Sequence, residues 1–253
     1  MKKIFTFALV ALAATVALSS CKKDNSGQGG DDPTAKVTAR IVKMDGYSFS
    51  YNSDGKVSAV TESWDGGSET HEFTYSGNKL TIKKDGAVVF NITLNDKGLA
   101  TTVDKVGEAV YTYTYDANNF CISCKKDGVD QCQQAIDDYC VQYWTRINTK
   151  EDAATRPWRH KDHTYLTQDN TCGIHSEWAE DFGMKRWFYE TGLLGRASAK
   201  YMKTAQWDDA EKIAEYTYEF DANGYITKET KMYGMPGALE FDDEHTFEWQ
   251  SIN

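Results

Sequence analysis

The sequence has little proline and no excess of positive charge. Its 253 residues include only 3 prolines, and hydrophobic residues make up 40% of the chain, which excludes proline-rich, collagen-like and wholly disordered proteins. Lysine and arginine number 28 against 38 acidic residues, so the formal net charge is −10. Because a chain of this charge repels polyanions, we expect no nucleic-acid partner.

Familiar catalytic motifs are absent as well. The chain contains no G-x-S-x-G, no H-E-x-x-H and no G-x-x-x-x-G-K motif, so the common hydrolase, zinc-protease and phosphate-binding signatures are missing. His160, His163, His175 and Cys172 have side chains that could bind zinc, but solvated loop histidines are the simpler interpretation. We therefore predict no catalytic residue, no metal ligand and no cofactor, and we expect the protein not to be an enzyme.

The first residues have the pattern of an export signal. Lys2 and Lys3 precede an uncharged apolar run at 4–18, which is too short and too basic at its start for a spanning helix. The following Leu18-Ser19-Ser20-Cys21 resembles the bacterial lipobox, in which the cysteine is acylated and becomes the new N-terminus. We predict a signal peptide at 1–20 and lipidation of Cys21, for example by palmitate; an ordinary secretory signal with a chance cysteine is the alternative.

Residues 21–36 are rich in glycine, aspartate and serine and hold no large apolar side chain. Such a segment cannot bury enough surface to fold, so we predict a flexible tether that joins the lipid to one domain at 37–253. No later apolar run approaches the roughly 18 residues of a spanning helix. The expected membrane contact is therefore the lipid alone, at the outer membrane, with the periplasmic and the surface face both open.

Aromatic residues are frequent, at 13%, and recur in an alternating pattern. Apolar residues alternate with serine, threonine or glutamate, and a turn-forming stretch follows, at 47–51, 71–75, 90–94, 111–115 and 216–220. A period of two is typical of strands with one buried face. Repeated strand–turn–strand units predict an antiparallel meander, whose strands of five to seven residues are shorter than the roughly 9–11 of a membrane-spanning barrel.

These hairpins resemble YD-type repeats, whose core reads Tyr-x-Tyr-Asp-x-x-Gly-x-Leu/Ile-Thr. The segment YEFDANGYIT at 218–227 matches best, whereas the copy at Tyr113 has Asn119 where glycine is expected. Together with the lipobox, the tether and the segment KRWFYETGLLGRAS at 185–198, they resemble a group of Bacteroidetes lipoproteins of unknown function. The resemblance implies a porin-like, curved antiparallel sheet and no known activity.

The repeat is lost at about 128–171. Apolar residues there, Val129, Cys132, Ile136, Tyr139, Cys140 and Tyr143, recur at helical spacing, which predicts one amphipathic helix over about 130–146. The expected fold is mainly β: an antiparallel meander of short hairpins that forms a curved sheet or a partly closed barrel, with this central helix packed on it.

Five cysteines remain after lipidation: Cys121, Cys124, Cys132, Cys140 and Cys172. Disulfides are expected in an oxidising envelope, and the odd number leaves at least one thiol free. On a strand, Cys121 and Cys124 would face opposite sides, which also argues against a redox Cys-x-x-Cys site, and on a helix Cys132 and Cys140 would be about 12 Å apart. We therefore predict a bridge from Cys121 or Cys124 to Cys132 or Cys140, with Cys172 as a further candidate.

These features favour a lipid-anchored, non-catalytic envelope protein with a binding or interaction role. A carbohydrate-binding lipoprotein of a glycan-uptake system is the alternative, and an envelope hydrolase is the third hypothesis. The partner would be a glycan or an envelope protein, and the oligomeric state is open. Trp64 and Trp158 are the aromatic residues that we expect to be most exposed, and stacking on sugars uses such rings.

Overall fold

The computed structural model describes residues 39–147, 158–176 and 182–252. The predicted signal peptide, Cys21 and the tether at 22–36 lie outside the described residues.

The described residues form sixteen strands and one short helix, α1 (Arg186–Glu190). The strands are β1 (Ala39–Met44), β2 (Tyr47–Tyr51), β3 (Val57–Trp64), β4 (Gly67–Ser76), β5 (Lys79–Lys84), β6 (Ala87–Leu94), β7 (Ala100–Lys105), β8 (Ala109–Tyr115), β9 (Cys121–Lys126), β10 (Val129–Asp137), β11 (Cys140–Ile147), β12 (Trp158–Asp169), β13 (Lys200–Trp207), β14 (Ile213–Phe220), β15 (Ile226–Met235) and β16 (Ala238–Ser251). In this part of the chain no helix has the length and apolar character needed to cross a membrane.

The strands form a closed antiparallel barrel in which each strand pairs with its neighbours in sequence. The first and last strands close the ring, with Ile41 opposite Trp249 in the pairing of β1 with β16. The predicted antiparallel meander is confirmed, and the sheet goes beyond the predicted partial closure because its last edge is paired. Strand lengths range from 5 residues in β2 to 14 in β16, so the longest exceed the predicted five to seven.

The alternating pattern decides which way each strand faces. In β8, Tyr111 and Tyr113 are buried inside the barrel while Thr112 and Thr114 are exposed on its outer surface. Polar contacts join neighbouring strands on the outer surface: Thr61 to Thr70 at 2.9 Å, Thr164 to Thr204 at 2.5 Å and Lys43 to Glu248 at 2.7 Å. The barrel therefore has a mainly polar exterior and a mainly apolar interior.

Four hairpin turns at one end of the barrel share one hydrogen-bonding pattern. The side-chain oxygen of the first turn residue accepts from the backbone N–H groups two and four residues later, at Asn52, Asn95, Asp116 and Asp221. This use of Asn and Asp stabilises turns locally. Gly224 in the last of these turns has φ +82°, which confirms the positive φ that the turn pattern predicts.

The predicted helix at 130–146 is wrong, because these residues form the hairpin of β10 and β11. Asp137 lies opposite Cys140 in this hairpin, and the turn uses Asp138 and Tyr139 at φ +46° and +57° in place of the Asn-Gly that usually signals such a turn. The apolar residues that suggested a helix do not form one buried face, since Val129 is 59% exposed. Pairing this stretch with β9 and β12 satisfies backbone groups that a sheet edge would leave open.

The chain between β12 and β13 enters the barrel. This interior segment, residues 170–176 and 182–199, contains α1 and packs against inward-facing side chains from widely separated strands. Trp187 lies 6.1 Å from the ring of Phe73 in β4, and Phe188 lies 6.0 Å from that of Phe90 in β6. The interior segment thus covers the apolar face of the sheet. The sequence had led us to expect a helix at 130–146 in this role.

Candidate functional site

A cavity of about 370 Å³ opens at the barrel end that carries the four repeated turns. It lies between the barrel wall and the interior segment, and its lining includes Arg40, Tyr51, Lys56, Tyr75, Glu190 and Trp249. We call it the end cavity. Its volume lies within the roughly 300–1,000 Å³ typical of small-molecule sites.

The repeat pattern brings three aromatic rings to the end cavity. Tyr51 and Tyr75 are the last inward-facing aromatic residues of β2 and β4, so both lie where the strand meets its turn. The Tyr51 hydroxyl donates to the Ile41 carbonyl at 2.6 Å, and Trp249 Nε1 donates to the Ile226 carbonyl at 2.6 Å. Burial raises the pKa of Tyr51 and of Tyr75 to about 12, so both hydroxyls stay neutral at physiological pH.

Two cations lie over these tyrosine rings. The Arg40 guanidinium is 4.3 Å from the centroid of Tyr51, and its Nε and Nη2 donate to Gln250 Oε1 at 3.0 and 2.9 Å. Lys56 Nζ is 5.1 Å from the centroid of Tyr75. Cation–π contacts of this kind hold the charged groups at the cavity wall.

Lys97, from the turn between β6 and β7, supplies a third cation to the lining. Its Nζ donates to Asn119 Oδ1 at 2.8 Å and reaches the Ala117 carbonyl at 3.5 Å, both of them neutral acceptors. In the part of the chain that the structure describes, no carboxylate lies within 4.0 Å of Arg40, Lys56 or Lys97. Among the described residues, the cavity wall therefore carries three cations without a carboxylate partner.

A buried charge cluster lies behind the end cavity. Arg186 Nη1 donates to Glu229 Oε1 at 2.9 Å, and Arg186 Nε is 3.5 Å from Glu190 Oε1. Ser176 donates a short hydrogen bond to Glu229. Burial raises the pKa of Glu190 to about 7 although Arg186 opposes the shift, and burial, with Arg186 acting in the same direction, lowers the pKa of His175 to about 3.

The five predicted cysteines are all buried. The two that were expected to face opposite sides, Cys121 and Cys124, both belong to the core, because a β-bulge lets Cys121 and Ile122 together oppose Tyr115. The prediction that these two side chains face opposite sides of the sheet is therefore wrong. Burial raises the pKa of Cys121, which disfavours the reactive thiolate.

The strand register brings together one of the predicted cysteine pairs. Cys124 in β9 lies directly opposite Cys132 in β10, while Cys172 lies in the interior segment, where Ile226 N donates to its sulfur at 3.4 Å. Residues directly opposite each other in antiparallel strands have Cα atoms about 4.5–5.5 Å apart, within the range that disulfides require. The bridge itself remains a prediction.

The histidines named in the sequence do not converge. On β12, His160 is partly buried and its Nε2 donates to Asp162 Oδ1 at 3.0 Å, whereas His163 is buried with Nδ1 3.1 Å from the Val141 carbonyl. His175 is buried 5.6 Å from the ring of Tyr189. Across residues 39–147, 158–176 and 182–252, no group of three histidine, cysteine or acidic side chains is arranged to hold a metal ion.

The aromatic and charged residues of the end cavity were not among those predicted from the sequence. Trp64, which is 53% exposed, and the partly buried Trp158 both lie toward the opposite end of the barrel. The signal was present, however: Tyr51 and Tyr75 each end an alternating run, and every second hairpin turn lies at the same end of a meander. Aromatic residues at those positions must therefore lie around one opening.

One comparison with a solved structure supports this architecture. No protein-family model matches the chain, and no curated protein matches its sequence. Among solved structures, a porin-like protein from Bacteroides uniformis ATCC 8492 is similar, with a TM-score of 0.63, 20% identity, and coverage of 81% of this chain and 90% of that one. A porin-like protein from Bacteroides vulgatus ATCC 8482 is aligned with a TM-score of 0.49, 12% identity, and coverage of 85% and 100%.

The first of these likenesses shows the fold. It agrees with the porin-like sheet that the resemblance to Bacteroidetes proteins implied, and the sheet is closed. Lipidation and the YD-type classification of the repeats remain predictions.

Proposed function

We propose that the protein is a lipid-anchored, non-catalytic binding protein of the cell envelope, held at the outer membrane through Cys21. The observation that carries the binding role is the end cavity, in which three aromatic rings and three cations with no carboxylate partner in the described part of the chain surround a space of about 370 Å³. Pockets that combine apolar walls with a few placed polar groups are the usual form of ligand sites.

The polarity of the barrel supports attachment by a lipid. A membrane-spanning barrel presents an apolar band about 25 Å tall to the bilayer and keeps its polar residues inside. This barrel has the reverse arrangement, with Thr112 and Thr114 outside and Tyr111 and Tyr113 inside. We infer that the barrel stands in water beside the membrane, so that another element has to supply the attachment.

The lining of the end cavity supports binding rather than catalysis. Among the described side chains that line it, Glu190 is the only carboxylic acid, whereas glycoside hydrolysis ordinarily uses a pair of carboxyl groups. An envelope hydrolase therefore has no support from this cavity.

A carbohydrate ligand is the second, more specific candidate. Sugars present C–H faces to aromatic rings and hydroxyl groups to polar side chains, and Tyr51, Tyr75 and Trp249 offer both kinds of surface. In this version the protein delivers a glycan to an uptake system of the envelope.

The binding role is tested by screening the full-length protein, purified in detergent, on a glycan array and by ligand-observed NMR. Tyr75→Ala should weaken any binding by about tenfold, since loss of an aromatic contact removes one to a few kcal/mol. Trp64→Ala is the matched control, because that exposed ring lies away from the cavity. Binding that is lost in the control and kept in the Tyr75 variant would place the ligand elsewhere.

The anchor is tested separately. Cys21→Ser should move the protein from the detergent extract of membranes to the soluble fraction, because acyl chains contribute about 0.8 kcal/mol of membrane affinity per buried CH₂. Unchanged membrane association of this variant would contradict lipid anchoring without bearing on the cavity.

A further inference from the structure

We propose that the end cavity recognises an acidic saccharide, with a hexuronic acid as its simplest unit. This inference rests on the proposed binding role, since it names the ligand class of the same cavity.

The charge of the lining points to an anionic ligand. The protein carries a formal net charge of −10, yet the described residues of the cavity wall include Arg40, Lys56 and Lys97 and a single acid, Glu190, which lies 3.5 Å from Arg186. Lysines elsewhere on the barrel, such as Lys43 and Lys228, have carboxylate partners. A concave site lined by one sign of charge attracts ligands of the opposite sign.

The free hydrogen-bonding capacity points to a carboxylate or a similar anion. Arg40 donates through Nε and Nη2 to the neutral Gln250, which leaves Nη1 for a ligand. The Lys56 ammonium has no hydrogen-bond partner among the residues described in the structure and contacts only the ring of Tyr75. Guanidinium and ammonium groups bind carboxylates through short, charge-assisted hydrogen bonds.

The remainder of the lining requires more than a bare anion. Ile41, Leu193 and the ring of Trp249 form apolar wall in the same cavity, and such wall contributes nothing to a phosphate or sulfate ion. The hydroxyl of Tyr75 and the carboxyl of Glu190 offer a donor and an acceptor for ligand hydroxyl groups. A pyranose ring with a carboxylate on C5 has all three features: a C–H face, hydroxyl groups and a negative charge.

A second cavity, of about 420 Å³ at the other end of the barrel, does not share this character. It is lined by Asp45, Lys185 and His245, but Asp45 and His245 are 2.7 Å apart and Lys185 is 3.0 Å from Glu62. Because the charges of this second cavity are already paired, the end cavity is, of these two cavities and within the residues that the structure describes, the one whose cations lack carboxylate partners.

The experiment compares sugars that differ only at C6. Full-length protein in detergent is titrated with glucuronic and galacturonic acid and with glucose and galactose, by calorimetry and saturation-transfer NMR at low and at high salt. We expect the acids to bind about tenfold or more tightly than the neutral sugars at low salt, which is the scale of one charge-assisted hydrogen bond. The preference should weaken at high salt because partly exposed charges are screened.

Variants locate the effect. Arg40→Met and Lys56→Met should remove the preference for the acids, so that uronic acids and neutral sugars bind with similar affinity, while thermal melts verify folding. Lys43→Met is the matched control, because Lys43 lies on the same strand as Arg40 but is exposed and paired with Glu248.

Each outcome decides the inference. Equal binding of the acids and the neutral sugars, unaffected by the two variants, overturns the acidic ligand and leaves carbohydrate binding in place. Inorganic sulfate that competes as well as the uronic acids overturns the saccharide part. Absence of binding to either uronic acid overturns the inference, and the glycan array then decides independently whether the cavity binds neutral glycans.

Discussion

The hairpin repeats and the interior segment are held in place by different interactions. In the repeats, each strand forms backbone ladders with neighbours close in sequence, as in the pairing of Tyr111 with Val103. The interior segment has one helix of five residues, and its backbone bonds reach distant strands: Ala100 N donates to Leu193 O at 2.8 Å, and Arg196 N to Asn119 O at 3.1 Å. The repeats are therefore stabilised locally, whereas the interior segment depends on the completed barrel.

The two regions also differ in where buried charge lies. The inward face of the first hairpins is aromatic and aliphatic, as at Phe49, Val60 and Leu80. The interior segment buries Arg186 against Glu229 and Glu190. Burial alone would lower the pKa of Arg186, but the charges of Glu229 and Glu190 raise it. Since buried ions are tolerated only with partners, the interior segment should be the more sensitive region to single substitutions.

The largest effect is expected at Arg186. Arg186→Met leaves the buried carboxyl groups of Glu190 and Glu229 without their cation, which should lower the free energy of unfolding by about 3–5 kcal/mol. Urea unfolding followed by tryptophan fluorescence measures the change. The neighbouring Lys185→Met removes an exposed pair with Glu62 and should cost less than about 1 kcal/mol. Equal effects of the two substitutions would contradict the difference between buried and surface charge.

The same contrast explains what the sequence could predict. The alternation at 47–51 and 111–115, followed by turn residues, specifies within about twenty residues where a strand runs, which of its side chains point inward and where the chain turns. The antiparallel meander and the positive φ of Gly224 were therefore predicted correctly. The hairpin of β10 and β11 was not, because its turn has Asp138 and Tyr139 instead of glycine and because bulges, such as the one beside Ala135, disturb the period of two.

The interior segment and the end cavity depend on contacts between residues far apart in sequence. The run at 185–198 was noticed only through a family resemblance, since its apolar residues follow no single period. Arg40 and Lys56 contact rings in other strands, Tyr51 and Tyr75, and the position of Glu190 follows from the packing of α1. Only the closed barrel brings these residues together, so one sequence without that geometry could indicate aromatic residues near turns but not the cavity.

Two glycines with similar backbone conformations differ in their surroundings. Substituting each by alanine separates the effect of backbone strain from that of close contact with the barrel wall. Gly195 has φ +94° and Gly224 has φ +82°. A Cβ at Gly195 would lie 2.3 Å from the backbone oxygen of Asn119, whereas nothing lies within 4 Å of one at Gly224. Gly195→Ala should destabilise by on the order of 3 kcal/mol, through φ strain and overpacking, and Gly224→Ala by about 1 kcal/mol from strain alone. Urea unfolding of both variants checks the difference, and equal losses would refute the close contact of the interior segment with the wall.

The third prediction concerns β9 and β10, the strands at which the hairpin repeat of the sequence ends. Cys124 and Cys132, opposite each other in β9 and β10, should form a disulfide in protein isolated from an oxidising compartment. Closing this short loop should stabilise the fold by about 2.5 kcal/mol. Non-reducing peptide mapping identifies the bridge, and urea unfolding with and without reductant measures its effect. A bridge between Cys121 and Cys124 in the peptide map would show that the observed register does not persist.

The smallest effect, per unit of pH, is expected from groups buried in the irregular regions. Burial lowers the pKa of His163 and of His175 to about 3, so both stay neutral in the folded protein at pH 4.5–6.5 while the unfolded chain protonates them. Their contribution is present above about pH 6.5 and is lost as the pH falls toward 3. Glu190 acts in the opposite direction, because its raised pKa of about 7 means that the folded state holds a proton that the unfolded state has released.

Near pH 5.5 the unfolded state thus binds about two extra protons at His163 and His175 and about one fewer at Glu190, and His71, whose pKa burial also lowers, acts in the same direction as the other two histidines. For His163, His175 and Glu190 together, the net of one proton gives a free energy of unfolding that falls by about 1.4 kcal/mol per pH unit on acidification. Glu190→Gln removes the opposing group, so the slope should rise to about 2.7 kcal/mol per unit. Urea unfolding at several pH values measures the slopes. An unaltered slope in the Glu190 variant would mean that Glu190 is ionised in the folded barrel, and the acid response would then belong to the histidines alone.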